Sequence, residues 1–316
     1  MHLVIALPAL NESATIGTVL DSIPDTYPGI NKVTKLVIDD GSTDNTKVIS
    51  ISKGAMVISH QQNKGVGAAF QTAVKTALDL NADIMVNIDS DGQFNPTDIG
   101  KIINPIVSDE ADFVTASRFI DKAMKPQMPT VKYLGNLLMS KIVSTVTKTR
   151  FYDVSCGFRA YSQETLMRLN LFGSFTYTQE TFIDLAFKGL RISEIPIPVR
   201  GVREFGKSRV ASNLLKYGSN TIQIILHSVI DYRPLSVFGT LALLLLIGSL
   251  GFGLFFLLHY VITGRFSPHI WAGFVSGFLF AMGVLVIALS LLGDMLSRMR
   301  LNQEEILYNQ KRDRYK

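Results

Sequence analysis

Two long stretches near the C-terminal end of the chain carry almost no charge, and they limit what the chain can fold into. Residues 235–262 contain neither acidic nor basic side chains apart from His259, and residues 270–292 contain none. Each stretch exceeds the roughly 20 apolar residues that a helix needs to cross a bilayer. Two buried core helices of this length in succession are uncommon, so we expect two membrane-spanning helices.

The basic residues predict how these spans are oriented. The chain has a formal net charge of +5, and the residues after the second apolar stretch include more basic than acidic side chains. The basic ones are Arg298, Arg300, Lys311, Arg312, Arg314 and Lys316. Positive charge favours the cytoplasmic side, and two crossings return the N-terminal region to that side as well. We therefore expect an integral membrane protein of the cell inner membrane or its equivalent, with both termini in the cytoplasm.

The first ten residues and the single cysteine agree with a cytoplasmic N-terminal region. The opening MHLVIALPAL is apolar, but it lacks a basic flank and is interrupted by Pro8, which argues against a signal peptide. The lone cysteine, Cys156, excludes an intramolecular disulfide and fits a reducing compartment. A packed small residue is a more common role for it than a nucleophile.

Short apolar runs alternate with helical patterns through the first part of the chain. We predict strands over residues 2–7, 33–38, 55–59, 84–88 and 113–116, and helices over 14–22 (capped by Ser13), from about 45, and over 66–80. This alternation predicts an α/β domain with a doubly wound parallel sheet. Ligands of such sheets bind beyond the carboxyl ends of the strands. Polar clusters follow most of the predicted strands, so we expect the functional site at that edge.

The strongest of these clusters is Asp89-Ser90-Asp91, directly after the predicted strand 84–88. Side chains two residues apart on an extended chain point to the same side, so the two carboxylates project together. A divalent ion with phosphate ligands would relieve their repulsion, since Mg²⁺ and Mn²⁺ favour oxygen donors. Alone, the motif is more often a solvated acidic loop. A dinucleotide fold is set aside, because its glycine pattern is replaced by PALNES after the first strand.

Several motifs together resemble the family-2 glycosyltransferases of GT-A fold. They are PALNE at 8–12, DDGSTDNT at 39–46, DSDGQ at 89–93, SR at 117–118, DVSCGFR at 153–159, QET at 179–181 and REFGKSR at 203–209. With two spans after it, the domain looks most like the polyprenyl-phosphate or dolichyl-phosphate sugar synthases. The resemblance implies a GT-A-like, mainly parallel sheet, followed by an amphipathic helix and two transmembrane helices.

The resemblance also assigns roles to residues of the donor site. Residues implied to bind the nucleotide sugar are Pro8, Asn11, Glu12, Asp39, Asp40, Lys64 and Arg118. Residues implied to act in catalysis are Asp89, Asp91 and Glu180, and Asp89, Asp91 and Gln93 would hold Mg²⁺ or Mn²⁺. Structural roles remain open for several of them. The run 39–46 could form helix caps and Asx turns, the segment 63–67 a tight turn, and Arg159 an ion pair with a structural acid.

A basic segment before the first span is expected to hold the acceptor phosphate, through Arg203, Lys207 and Arg209. Residues 201–208 also match the P-loop pattern G-x-x-x-x-G-K-[ST]. We reject a P-loop because no sheet follows it, and the prolines of 195–198 forbid a central strand before it. The expected organisation is a catalytic domain over 1–211, an amphipathic juxtamembrane helix within 212–234, the spans within 235–293 and a basic tail over 294–316.

Two further features have open roles. The loop 122–130 is either a mobile flap over the site or an exposed connection. Gly273 and Gly277 form a G-x-x-x-G pattern in the second apolar stretch, which suits either packing of the two spans within one chain or self-association. We expect a homo-oligomer formed through these helices.

The predicted function is metal-dependent transfer of a hexose, with inversion, from a nucleotide-diphosphate sugar to a polyprenyl phosphate at the cytoplasmic membrane face. One alternative is transfer to a sugar or lipid hydroxyl, which would need Glu180 or Asp153 as a base. Another is a non-catalytic sensor or scaffold, against which the pair of aspartates argues. The sequence leaves the sugar and the nucleotide base open, and it gives no reason to expect nucleic-acid binding.

Overall fold

The computed structural model describes residues 1–170, 177–200, 223 and 229–315. These residues fall into two compact units, Met1–Ile225 with Leu307–Lys316, and Leu226–Ile306. The first unit contains a sheet covered by helices, and the second contains two long apolar helices.

A seven-stranded mixed sheet organises the first unit, in the order β3-β2-β1-β4-β6-β5-β7. The strands are β1 (His2–Ala9), β2 (Lys32–Asp39), β3 (Met56–Ser59), β4 (Ile84–Asn87), β5 (Phe113–Ser117), β6 (Arg159–Ser162) and β7 (Ile192–Pro196). Pairing is parallel except at β6, which runs antiparallel to both β4 and β5. The sheet is therefore mainly parallel, as predicted, with one reversed strand that the sequence did not reveal.

Seven helices lie within the described residues of this unit, and they follow the predicted alternation. They are α1 (Ile16–Asp21), α2 (Thr46–Ser52), α3 (Val66–Asp79), α4 (Ile99–Val107), α5 (Thr130–Thr147), α6 (Gln163–Arg168) and α7 (Thr178–Phe187). The cap predicted for the first helix is wrong, because Thr15 occupies the N-cap position. The Ser13 backbone N–H instead donates to Asp44 Oδ2 at 3.2 Å.

Burial of the strands explains their apolar sequences. All four residues of β4 are buried, and so are Leu3, Ile5 and Leu7 of β1, as expected for central strands with helices on both faces. At the other extreme, β7 ends at Pro196 and pairs only with β5 among the described strands, at the edge of the sheet. Proline is tolerated there because an edge strand has one side without a ladder. The prediction that the prolines exclude a central strand is confirmed.

The second unit contains α8 (Pro234–Thr263) and the first part of α9 (Ile270–Tyr315). Both helices are long and apolar enough to cross a membrane. Only 11% and 17% of the residues in the most apolar 18-residue stretch of each helix are buried within the structure. This low burial does not fit core helices of a water-soluble domain. Ser249 Oγ donates to the carbonyl of Ser276 at 2.9 Å, and Ser276 Oγ donates to the carbonyl of Ser249 at 2.8 Å.

The glycines of the second apolar stretch differ in what surrounds them. A Cβ atom on Gly273 would lie 3.1 Å from the Phe256 ring of α8, so this glycine allows close approach within the chain. A Cβ atom on Gly277 would meet no atom of the described residues within 4 Å. The first glycine thus serves packing between the two helices, and self-association stays a prediction.

Candidate active site

An acidic loop follows β4 at the carboxyl edge of the sheet, where the sequence predicts the site. Asp91 is 2% exposed, and its Oδ1 accepts a hydrogen bond from the Gln93 N–H at 3.0 Å. Gly92, between them, has a φ of +73°, a conformation that glycine adopts without steric cost. The loop therefore turns sharply as soon as Asp89 and Asp91 have left the buried strand.

Two buried hydroxyl groups fix this loop to neighbouring elements. Ser90 Oγ donates to the carbonyl of Pro8 at 2.7 Å, at the end of β1. Thr15 Oγ1 donates to the carbonyl of Ser90 at 2.9 Å, at the start of α1. The acidic loop and Pro8, which were predicted to share the donor site, are thus brought together.

A glycine makes room for the carboxylate of Asp89. A Cβ atom on Gly157 would lie 2.9 Å from Asp89 Oδ2 and 3.0 Å from Oδ1, so a larger residue would displace this carboxylate. Gly157 belongs to the segment that leads into β6. The CGFR and DSD motifs therefore meet in one site, although they are far apart in the sequence.

The loops after β1 and β2 contribute further polar groups to the site. Asn11 has a φ of +51°, and its Oδ1 accepts a hydrogen bond from the Thr43 N–H at 2.7 Å. The Asn11 N–H donates to Ser42 Oγ at 2.9 Å, and the Glu12 N–H donates to Thr46 Oγ1 at 2.8 Å. These bonds join two motifs whose residues were predicted to bind the nucleotide sugar.

Two acids of the DDGSTDNT segment also have structural roles. Asp39 is 4% exposed, and its Oδ1 accepts the Ser42 N–H at 2.9 Å. Burial alone would raise the pKa of Asp44, but hydrogen bonds from Thr46 and Ser13 outweigh it and lower this pKa to about 2. The expectation that part of this segment forms local turns is therefore correct.

Asp40 holds the loop that precedes α3. Its carboxylate lies 2.7 Å from His60 Nδ1 and accepts the N–H groups of Lys64 and Gly65 at 2.9 and 2.8 Å. A Cβ atom on Gly41 would lie 2.7 Å from a backbone carbon of the facing loop, so this contact requires glycine. The predicted contacts of Asp40 and Lys64 with the donor remain predictions beside this observed role.

Arg118 is clamped by a buried aspartate. Its Nε and Nη2 donate to Asp153 Oδ2 and Oδ1 at 2.6 and 2.8 Å, and Asp153 is fully buried. Glu194 of β7 accepts the N–H groups of Tyr152 and Asp153 at 2.8 and 2.9 Å. Burial raises the pKa of Glu194 despite these hydrogen bonds. The guanidinium predicted to bind the nucleotide sugar is thus held by Asp153, whose backbone N–H is in turn bound by Glu194.

Arg159, also fully buried, pairs with backbone carbonyls where the sequence suggested an acid. Its Nε donates to the carbonyl of Cys156 at 2.7 Å and its Nη2 to that of Val154 at 3.1 Å. The guanidinium lies 5.0 Å from the centroid of the Phe182 ring. Burial raises the pKa of the Cys156 thiol to about 12. The cysteine is therefore a packed residue, as expected, and not a nucleophile.

Glu180 lies half-buried in the first turn of α7. The preceding residue, Gln179, is fully buried, and its Nε2 donates to Ser155 Oγ at 3.4 Å. Tyr177 Oη accepts a hydrogen bond from Asn87 Nδ2 at 2.8 Å, at the end of β4. The turn that carries Glu180 is therefore fixed both to the central strand and to the loop before β6.

A family model settles what kind of protein carries this site. The model described as Glycosyl transferase family 2 matches residues 4–169, which is more than half of the chain. The chain belongs to glycosyl transferase family 2. The matched region contains the acidic loop, the Arg118–Asp153 pair and Arg159.

Relatives of this glycosyltransferase include enzymes with assigned activities. The UDP-N-acetylglucosamine–dolichyl-phosphate N-acetylglucosaminyltransferase of Methanococcus voltae is 33% identical over 212 residues, 60% of this chain and 82% of that protein. The dolichyl-phosphate hexose transferase of Haloferax volcanii is 30% identical over 198 residues, 63% of this chain and 82% of that protein.

A solved structure with a similar fold is that of glucosyl-3-phosphoglycerate synthase of Mycobacterium tuberculosis in complex with Mn²⁺ and UDP-glucose. It has a TM-score of 0.54 at 26% identity, over 72% of this chain and 78% of that chain. The likeness confirms the GT-A-like fold that the motifs implied.

The glycosyltransferase offers few protein ligands for a metal ion. Within the described residues, no three His, Cys, Asp or Glu side chains form a metal-binding group. The predicted ligands Asp89, Asp91 and Gln93 supply two carboxylates and one amide, whose Nε2 donates to the carbonyl of Arg200 at 3.1 Å. Mg²⁺ is commonly held by one or two carboxylates, with phosphates and water completing its coordination. This donor set fits an ion that binds together with a diphosphate.

Some predicted features lie outside the described part of the glycosyltransferase. These are the basic residues of the acceptor segment, Arg203, Lys207 and Arg209, and most of the predicted juxtamembrane helix. The loop 122–130 is described, and it contains a 3₁₀ turn at Lys122–Met124. Lys125 Nζ lies 3.6 Å from the centroid of the Tyr133 ring on α5. A flap role for this loop stays a prediction.

Sequence reasoning missed two residues that hold the site together, His60 and Glu194. His60 directly follows β3, at the same edge as the other polar clusters, so the rule that found those clusters could have found it. Glu194 lies inside a strand next to Ile195. Its only signal was a charge in an apolar segment, which calls for a buried partner.

Proposed function

We propose that this glycosyltransferase moves a hexose from a nucleotide-diphosphate sugar to a polyprenyl phosphate, with inversion at the anomeric carbon. The observation that carries the proposal is the acidic loop at Asp89 and Asp91, fixed at the carboxyl edge of the sheet by Pro8 and Thr15. The names of two relatives, which include dolichyl phosphate, support the choice of acceptor.

The donor would lie against the loops after β1, β2 and β4. The carboxylates of Glu12 and Asp39 can accept hydrogen bonds from ribose hydroxyls or from N–H groups of the base. Asp89, Asp91 and Gln93 would hold Mg²⁺ or Mn²⁺. Such an ion, when bound, neutralises negative charge that develops on the leaving diphosphate.

A phosphate acceptor requires no general base from the protein. A phosphate monoester has a second pKa near 6, so it is largely dianionic at neutral pH and can attack the anomeric carbon directly. The protein has to bind and orient this dianion. Arg118, whose guanidinium is fixed by Asp153, provides positive charge at the site, and we assign the acceptor phosphate to Arg203, Lys207 and Arg209.

A hydroxyl acceptor is the competing assignment, because a hydroxyl must lose its proton during transfer. Of the two candidate bases, Asp153 is the weaker one. Both of its carboxylate oxygens accept hydrogen bonds from Arg118, and it is fully buried. Glu180, half-buried at the start of α7, remains as the base that this alternative would use.

We place the catalytic domain, residues 1–211, and the tail, residues 294–316, on the cytoplasmic side, with the spans between them. Contacts within the first unit support this topology. Lys311 Nζ of the tail donates to the carbonyl of Met167 at the end of α6 at 3.1 Å. This contact supports the proposal that both ends of the chain lie on the same side of the membrane, in agreement with an even number of crossings.

One helix of the catalytic domain supports a position at the lipid surface. Val131, Leu134 and Leu138 lie on one face of α5 and are 67%, 57% and 53% exposed. The helix contains Lys132 and Lys141 and no acidic residue. An apolar stripe beside basic residues suits the headgroup region of an anionic membrane, which would bring the site close to a lipid-borne acceptor.

The test is a product analysis with membranes that carry the full-length protein. They are incubated with polyprenyl phosphate and, in separate reactions, with UDP-glucose, UDP-N-acetylglucosamine or GDP-mannose, and the lipid product is weighed by mass spectrometry. We expect one donor to add a single sugar to the lipid phosphate. Addition to a polyprenol lacking phosphate would favour the hydroxyl alternative. Failure with every donor and both lipids would refute the proposed function.

A further inference from the structure

The C-terminal end of α9, residues 307–315, presents one face to the catalytic domain. Tyr308, Lys311 and Tyr315 are spaced by three and four residues, so they share this face. Tyr308 is only 8% exposed. Its Oη donates to Glu164 Oε2 on α6 at 2.8 Å, and Tyr315 Oη donates to Asp79 Oδ1 at the end of α3 at 2.9 Å.

Lys311 makes the most specific contact of this segment. Its Nζ donates to the carbonyls of Met167 and Leu169 at 3.1 and 3.0 Å and to Asn170 Oδ1 at 3.2 Å. The last carbonyls of a helix have no partner within the helix, and the negative end of the helix dipole favours a cation there. Lys311 thus supplies to α6 a C-terminal cap that comes from the far end of the chain.

A second lysine, from the C-terminal end of α7, caps the same end of α6. Lys188 directly follows α7, and its Nζ donates to the carbonyl of Arg168 at 2.6 Å and to Asp184 Oδ2 at 2.9 Å. The end of α6 is therefore bound by Lys311 of the tail and by Lys188 of α7. A shift of the carbonyls at the end of α6 would therefore also shift Lys188 and, with it, the end of α7, the helix that carries Glu180.

We propose that Tyr308, Lys311 and Tyr315 form a positioning element of the active site, which acts through the capping of α6 by Lys311 on the placement of α7. In this role Lys311 touches neither donor nor acceptor. It keeps α6 in the position at which Lys188 can hold α7, and α7 in turn keeps Tyr177 against Asn87 at the end of β4. The effect on turnover rests on the proposed transfer reaction, whereas the effect on α6 and α7 does not.

The test compares Lys311→Met with Arg312→Met in the full-length protein. Both variants remove one positive charge from adjacent positions of one helix. Arg312 is exposed, and its guanidinium contacts Asp313 and the Tyr308 ring, which lie within the tail itself. Arg312→Met is therefore a matched control for charge and for helix propensity.

Hydrogen exchange measured by mass spectrometry is the first readout. We expect faster exchange in peptides covering α6 and α7 for Lys311→Met, and unchanged exchange in those peptides for Arg312→Met. Peptides from β1 and β2 serve as the control for folding. If Lys311→Met fails to fold, Tyr308→Phe, which removes the single hydrogen bond to Glu164, takes its place. Equal exchange in α6 and α7 for the variant and the wild type would overturn the proposal.

Turnover separates positioning from a purely structural role. For Lys311→Met we expect kcat to fall about tenfold, with the KM for the nucleotide sugar nearly unchanged, because small misplacements of site residues cost rate more than binding. Lys311→Arg, which keeps a cation and its donors, should restore most of kcat. A kcat equal to that of the wild type in Lys311→Met would refute the proposal. A wild type that transfers no sugar would instead count against the proposed function, and exchange would still decide the role of the tail.

Discussion

The two halves of the sheet end at the same edge but are held together by different interactions. The loops after β1, β2 and β4 are joined by single hydrogen bonds from hydroxyl and backbone N–H groups, such as those from Ser90 to Pro8, from Thr43 to Asn11 and from Lys64 to Asp40. The half formed by β6, β5 and β7 contains an ion pair between the fully buried Asp153 and the half-buried Arg118, and the half-buried Glu194 accepts the Asp153 N–H.

This difference determines how each half responds to a change. A single hydrogen bond contributes about 1 kcal/mol to stability, so loops joined in this way can lose one bond and remain folded. Removing one member of a buried ion pair costs about 3–5 kcal/mol, because the partner is left charged and without compensation. The half formed by β1, β2 and β4, which carries most of the predicted donor-binding residues, can therefore adjust its loops individually, whereas the other half keeps its arrangement or loses it as a whole.

The largest effect is expected from Asp91→Asn in the donor half. Loss of one of the two carboxylates of the acidic loop should lower kcat/KM for sugar transfer about a thousandfold. The melting temperature should change little, since the asparagine is isosteric. Transfer is followed by mass spectrometry of the lipid product, with and without a chelator of divalent ions. Activity within about tenfold of the wild type would show that the acidic loop does not organise a metal.

Asp153→Asn and Ser90→Ala compare the two halves directly. The first change breaks the pair with Arg118 and should destabilise the protein by about 3–5 kcal/mol. The second removes the hydrogen bond to Pro8 and should cost about 1 kcal/mol. Thermal melting of the full-length protein in detergent measures both. Equal shifts in melting temperature would contradict the contrast between an ion pair in one half and single hydrogen bonds in the other.

The two halves should also differ in the pH dependence of stability. Glu194 has a raised pKa in the folded protein, so its contribution is fully present below its unfolded value of 4.5 and is lost as the pH rises through the raised value. Asp44 has a pKa lowered from 3.8 to about 2, so its contribution is present above 3.8 and is lost as the pH falls towards 2.

Melting temperatures measured across pH for two variants test these opposite signs. Glu194→Gln should remove a decline in melting temperature that occurs as the pH rises above 4.5. Asp44→Asn should remove a decline in melting temperature that occurs as the pH falls below 3.8. Glu110→Gln, at an exposed position of the same domain, is the control and should leave both declines in place. If both variants removed a decline in melting temperature on the same side, acid or alkaline, the opposite pKa shifts assigned to Glu194 and Asp44 would be contradicted.

The smallest effect is expected from Glu180→Gln. If the acceptor is a phosphate dianion, no base is required, and kcat should change by less than about threefold. Measurement of kcat with polyprenyl phosphate and the preferred nucleotide sugar checks this value. A loss of a hundredfold or more, with donor binding retained, would assign Glu180 as a base and favour a hydroxyl acceptor.

The parallel part of the fold could be predicted because its sequence signals are local. The strands β1, β2 and β4 are apolar runs that end in polar motifs, so pattern and burial agree. In contrast, β6 begins at Arg159, and a buried arginine contradicts the pattern of a central strand. Its Nε and Nη2 donate to carbonyls of the preceding loop, and no local sequence pattern predicts these contacts. The reversed strand therefore escaped prediction.

The residues of the candidate site can also be divided into those that local sequence signals predicted and those that they did not. The acidic loop, Pro8 and Gly157 were found because they belong to compact motifs. His60 and Glu194 were missed, since each acts on a loop distant in sequence, and such contacts become visible only when the fold brings the loops together. Asp40 shows the same limit, because its motif was recognised while its bonds to Lys64 and Gly65 were not.

The contacts of Tyr308, Lys311 and Tyr315 with the catalytic domain also have a consequence for biosynthesis. A ribosome makes these residues after both apolar helices, so the nascent catalytic domain lacks its α6 cap while the spans are being inserted. The cap can form only once both spans have left the translation machinery and the tail is on the same side as the domain. In the topology proposed above, completion of the enzyme is thereby tied to insertion of both spans, and a chain with one span misinserted would carry its tail on the side of the membrane opposite the catalytic domain.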